Sequence, residues 1–180
     1  HGHAGAAAPR AAFVAELAHL GTNGFKQLDT GGPTGFDRQE VMLKARVHSD
    51  PERTLRQALE LKATWSRERS HETYLGLSPE DFAATPLRRY AASERDDMRW
   101  QRIATELRWS VDPSPALQLR LTAWHHHLDR SWQRFYGFTS GPDVHGILAS
   151  PSSPTTDPWL NAIDGTPRMV PSIAAAIVPE

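Results

Sequence analysis

Proline placement constrains this chain more than any other feature. A proline has no backbone N–H to donate and a fixed φ, so it fits the first turn of a helix and breaks regular structure elsewhere. Pro9, Pro51, Pro79, Pro86 and Pro115 each stand where a helix would begin. Asp50, Ser78, Thr85 and Ser114 precede four of them as N-cap residues, whose side chains accept from the first free N–H groups.

Apolar residues follow these starts at helical spacing. From Pro9 to Leu20, Phe13, Val14, Leu17 and Leu20 share a face and Gly21 supplies the stop. Residues 21–37 carry five glycines and read as a connector, since Asp29 to Gly35 lacks the Lys-Ser/Thr ending of a phosphate loop. Asp37 and Glu40 form a capping box for a short helix to His48. Leu55, Ala58, Leu59, Leu61 and Trp65 give a buried side to a helix from Pro51 to Leu75. Pro79 to Ala84 reads as a single turn. Pro86 to Trp109 reads as a helix broken near Ser93, and Pro115 to Tyr136 as the most regular one, with Leu117, Leu121, Trp124, Leu128 and Phe135 on one face.

From Phe138 the composition changes. Seven of the 14 prolines follow Gly141, and Arg168 is the sole Arg or Lys there against Asp143, Asp157, Asp164 and Glu180. Asp157-Pro158-Trp159-Leu160 starts one more helical turn, and Ser172 to Val178 reads as a short helix or an added strand. The expected fold is mainly α: an irregular bundle of five or six helices over 1–137, with an extended Pro-rich tail over 138–180 packing on it.

The charge is nearly balanced, Lys+Arg 20 against Asp+Glu 21, which disfavours a polycationic nucleic-acid binder. Arg88, Arg89, Arg95, Arg99 and Arg102 are interleaved with Glu94, Asp96 and Asp97, the pattern of a solvated face. No run approaches the ~18 apolar residues of a membrane helix, so a soluble chain without a membrane span is expected. The N-terminal residues lack the basic flank and apolar run of a signal peptide, and a first residue of His points to processing, excision or a tag remnant. With no cysteine, disulfides, thiolate metal sites and cysteine nucleophiles are excluded, and the compartment stays open.

Nine histidines raise metal chemistry. On a helix, successive residues are ~100° apart, so His125, His126 and His127 fan out and cannot share one ion. His125 is the candidate, with Asp129 four residues on to orient its imidazole. Glu16/His19 and Glu68/His71 repeat the Glu-x-x-His spacing of carboxylate-bridged di-iron bundles, although both pairs fall on the polar side of their helices. His1-Gly2-His3 would chelate Cu(II) through the terminal amine, amides and imidazole if His1 is the mature N-terminus, and the His1 amine and ring offer the histidine-brace mode of copper oxygenases.

His125-His-His-Leu-Asp129-Arg130-Ser-Trp132 resembles the His-x-x-x-Asp-Arg-x-Trp run at the second copper of tyrosinases and related type-3 copper proteins. His71-Glu-Thr-Tyr74-Leu75 more faintly resembles their His-Arg-x-Tyr-Leu segment at the first copper. The resemblance implies copper ligation by His71 and His125 from separate helices. It covers about a dozen residues, and the upstream His-x-x-x-His pair of the second copper is absent.

Two functions follow. The favoured one is a helical binding or scaffold module without a catalytic motif, acting through a protein partner. Trp132 and Trp159 are its contact residues, and Met169 to Val178 is a further docking segment. The alternative is a copper- or iron-dependent oxidase or oxygenase built on His71 and His125, with Glu16, His19 and Glu68 in reserve.

Overall fold

The computed structural model describes residues 1–166 and 177–179. It overturns the helical bundle: 54% of the chain is strand and 14% helical. In chain order the elements are β1 (Gly2–Ala8), β2 (Ala11–Thr22), β3 (Gln27–Leu28), β4 (Phe36–His48), β5 (Arg56–Ser70), α1 (Pro79–Ala84), β6 (Arg88–Arg89), β7 (Asp97–Ser114), β8 (Leu117–Gln133), β9 (Phe135–Phe138), α2 (Val144–Ala149), α3 (Asp157–Asp164) and β10 (Ile177–Pro179). The helices expected over 9–20, 37–48, 51–75, 86–109 and 115–136 are replaced mainly by β2, β4, β5, β7 and β8.

The prolines explain the correction. Pro9, Pro51, Pro86 and Pro115 lie in turns, where a fixed φ and a missing donor are as acceptable as in a first helical turn. Only Pro79 among the five opens a helix, α1, with the Ser78 hydroxyl accepting from Asp81 N. The segment over 138–180 is not merely extended, for α2 and α3 lie in it and Asp143 caps α2. Ser172 to Ala176 and Met169 to Ala176, parts of two segments singled out above, fall outside the described residues.

The chain divides into two compact units, each assembled from separated segments. Unit 1 comprises His1–Leu20, Asp37–Glu68 and Trp100–Arg130. It holds most of a six-stranded antiparallel sheet with the order β1-β2-β4-β5-β7-β8. Each strand of this sheet lies beside the next long strand along the chain, which is the up-and-down arrangement. In the β1–β2 hairpin Gly2 faces Leu17 and Ala8 faces Ala11.

Unit 2 comprises Gly21–Phe36, Arg69–Arg99 and Ser131–Glu180. Tyr90, Phe135, Ile147 and Ile163 form its core, with Leu75, Leu77, Phe138, Val144 and Trp159 packed around them. The Tyr90 hydroxyl donates to Asp81 at 2.5 Å and accepts from Ser78 N at 3.1 Å. Arg88 ties Asp29 and Asp81 together at 2.9 and 2.8 Å. Gly141 has φ +99°, and a Cβ there would stand 2.3 Å from the Trp159 ring, so only glycine lets this turn pass so close.

Candidate functional site

Strand geometry rearranges the residues that helical spacing had grouped. Side chains three apart on a strand point to opposite faces. Glu16 accordingly meets His1 at 3.1 Å, whereas His19 pairs with Asp37. Glu68 lies 3.9 Å from Arg38, and His71 follows the end of β5, its N–H donating to Gly35 O at 2.9 Å and its carbonyl accepting from Arg89. The rings of His1, just before β1, and His3 on β1 are 6.1 Å apart. In β8, His125, His127 and Asp129 share one face and His126 takes the other, so the fan expected of a helix does not exist. The helices on which a type-3 copper pair would carry His71 and His125 are absent as well. Among the described residues no three His, Asp or Glu side chains converge so as to hold a metal ion. Trp159 is half-buried, packed edge-on against Phe138 at 4.8 Å beside the core of unit 2. Trp132 packs on Tyr74 with ring centres 4.6 Å apart.

What the sequence does bring together is a sheet with two unlike faces. Even-numbered residues of β4, β5 and β7 point to one side and meet as ions. Glu60 lies 3.8 Å from Lys44, 3.7 Å from Arg46 and 3.8 Å from Arg108. Arg38 bridges Glu40 at 2.5 Å, and its guanidinium stands 5.4 Å from the Trp100 ring centre. Arg108 also meets Glu106 at 2.8 Å.

Odd-numbered residues point the other way. They read Val41, Leu43, Ala45, Val47 on β4, then Leu59, Leu61, Ala63, Trp65 on β5, then Ile103, Thr105, Leu107, Trp109, Val111 on β7. Trp109 Nε1 donates to Gln57 at 3.4 Å and Arg67 to Gln39 at 3.1 Å, which fixes these positions on a common face. On β2 the pairing of His19 with Asp37 places Phe13, Ala15 and Leu17 there too. Much of this face is open: Leu43 is 53%, Leu61 48% and Leu107 42% exposed, whereas Val111 at its end is buried. A contiguous exposed apolar patch marks a surface made for interaction, with a partner or with a membrane.

The apolar band has defined ends. Trp65 closes it on one side, and beyond it within unit 1 lie Asp37, Gln39 and Arg67. The hydrogen bond from His19 holds the Asp37 carboxyl below its usual range. Burial would raise the Asp97 carboxyl, but hydrogen bonds from Arg69 at 2.8 Å and Arg99 at 2.5 Å outweigh it and hold the group low. Asp37 in unit 1 and Asp97 in unit 2 are therefore both charged at neutral pH. Trp109 stands toward the other end, near Gln57. At ~3.3 Å per residue, Ile103 to Val111 covers about 26 Å of strand and Leu59 to Trp65 about 20 Å.

Helical periodicity missed this surface. The signal that finds it is strict alternation, Arg102/Ala104/Glu106/Arg108/Ser110/Asp112 against Ile103/Thr105/Leu107/Trp109/Val111. No protein-family model, curated protein or solved structure matches the chain.

Proposed function

We propose that the six-stranded sheet is a membrane-spanning β-wall, its apolar face against lipid chains and its ion-paired face toward an aqueous lumen. The observation that carries this reading is the charge-free band across β2, β4, β5 and β7, backed on the opposite face by Arg38, Lys44, Glu60, Glu106 and Arg108. A membrane β-strand needs ~9–11 tilted residues, and a barrel wall shows an apolar band ~25 Å tall with aromatic residues at both interfaces. Strands β2, β4, β5, β7 and β8 run from 12 to 18 residues, and Trp65 and Trp109 stand toward opposite ends of the band.

The connections support the same reading. The short turns 9–10, 49–55 and 115–116 alternate along the chain with the long segments 23–35 and 71–96. Membrane barrels alternate short turns on one side with longer loops on the other. No helix among the described residues is long and apolar enough to cross a membrane. Hydrocarbon satisfies no backbone group, so in the bilayer the outer edges of β1 and β8 are paired with further strands.

The scaffold reading with a protein partner explains an apolar face but not its band height, its aromatic ends or its charged border. Vesicle flotation separates the two. The protein is expected to float with phosphatidylcholine vesicles and to resist alkaline carbonate extraction. Brominated acyl chains are expected to quench its fluorescence, less so in Trp109→Phe. A chain that stays monodisperse in the aqueous fraction, unquenched, overturns the membrane reading.

A further inference from the structure

At the end of the sheet near the turn 49–55, unit 1 has a cavity of about 410 Å³. Arg46, His48, Arg56, Ser110 and Asp112 line it, over alanines that include Ala12 and Ala58. Its two guanidinium groups outnumber its one carboxylate. Arg56 and Asp112 enter no ion pair among the described residues. Arg46 has only Glu60, at 3.7 Å, and Glu60 is shared with Lys44 and Arg108 at 3.8 Å each. Arg108 is matched by Glu106 at 2.8 Å, which still leaves Lys44 and Arg46 to divide one carboxylate. Neither is within hydrogen-bond reach of it, so the Arg46 charge is only partly answered. His48 Nδ1 donates to Ser49 O at 2.9 Å, which leaves its other ring nitrogen available to a ligand.

We infer that this cavity binds a phosphomonoester and selects its singly protonated form. The anionic oxygens accept from the Arg46 and Arg56 guanidinium groups, whose N–H donors match phosphate by charge-assisted hydrogen bonds. The remaining P–OH donates to Asp112, a carboxylate that only accepts. An unpaired carboxylate beside two guanidinium groups repels a fully ionised anion and suits one that still carries a proton. A phosphomonoester keeps such a proton at about pH 6, near its second pKa. A sulfate monoester or an ionised carboxylate has no proton to give, and leaves Asp112 opposed by like charge. The volume lies within the range of small-molecule sites and exceeds what the phosphate group alone fills. The alanines supply an apolar floor for the ester group.

Titration calorimetry on the full chain in zwitterionic micelles, at about pH 6, tests this with phenyl phosphate and phenyl sulfate as probes. The two share a shape and differ in the proton. Phenyl phosphate is expected to bind saturably, at least fivefold more tightly than phenyl sulfate. Arg56→Gln is expected to weaken it at least fivefold. Lys62→Gln, which removes a cation from the same strand outside the cavity, should change it less than twofold. Asp112→Asn, whose amide can donate to either probe, should bring the two affinities within twofold of each other. Arg56 is exposed at the start of β5, so the far-ultraviolet circular dichroism of its variant should match the parent's. Absence of saturable phenyl phosphate binding, or an Arg56→Gln variant that binds as the parent does, overturns the inference. Equal affinity of the parent for the two probes overturns the part assigned to Asp112. Micelles keep the apolar face in solution whatever it meets, and the cavity uses none of the band's residues, so this inference fails or holds independently of the membrane reading.

Discussion

Asp96 turns its carboxylate inward, 1% exposed, and accepts from Phe135 N at 2.6 Å. Burial pushes its pKa up, against the pull of Thr73, Phe135 N–H, Arg89 and Arg134. Asp97, the next residue, bridges Arg69 and Arg99, and despite partial burial its pKa is pushed down. The two therefore act on stability with opposite sign. Raised in the fold, Asp96 contributes most below its unfolded value, near 3.8, and that contribution is lost as pH rises through the folded value. Lowered in the fold, Asp97 contributes above its unfolded value and loses that contribution as pH falls through the folded one. Denaturation midpoints in micelles at pH 3 and pH 7 check this. Asp96→Asn, which keeps an acceptor for Phe135 N, should gain on the parent as pH rises, and Asp97→Asn should lose on it. The same trend in both variants would contradict the assignment.

At the scale of elements, the strands make neighbouring positions unequal. Leu107 faces the apolar band and Glu60 the ion-paired side, both on central strands. An arginine placed on a lipid face at mid-depth costs about 2–4 kcal/mol, whereas loose, partly solvated ion pairs contribute about 0–1 kcal/mol. Leu107→Arg should therefore lower the guanidinium midpoint of vesicle-inserted protein strongly, and Glu60→Gln barely. Equal effects would mean the two faces do not differ.

The same contrast shows what could be read without coordinates. Ile103/Leu107 and Leu117/Leu121 are four apart, a spacing close to one helical turn and equal to two strand repeats, so they support either element. Leu59/Leu61 and Trp109/Val111, two apart, decide for strand. Prolines were equally ambiguous: Ser78-Pro79 does open a helix, while Pro51 and Pro115, behind equally good caps, lie in turns. The histidine spacings lost their meaning with the helices. The pairing of Arg38 with Glu68 or of Arg108 with Glu60 depends on which strands lie side by side, which local sequence does not encode.

For the whole molecule, the membrane proposal puts hydrocarbon on one face of a single sheet and water on the other. The chain has no cysteine of its own, so single cysteines can be placed and spin-labelled one at a time. A scan of residues 101 to 112 along β7 in phosphatidylcholine vesicles reads the solvent of each position through relaxation by dissolved oxygen and by a water-soluble nickel chelate. A period of two is predicted, with oxygen dominating at 103, 105, 107 and 109 and nickel at the even positions between them. Uniform access to nickel at odd and even positions alike would contradict it.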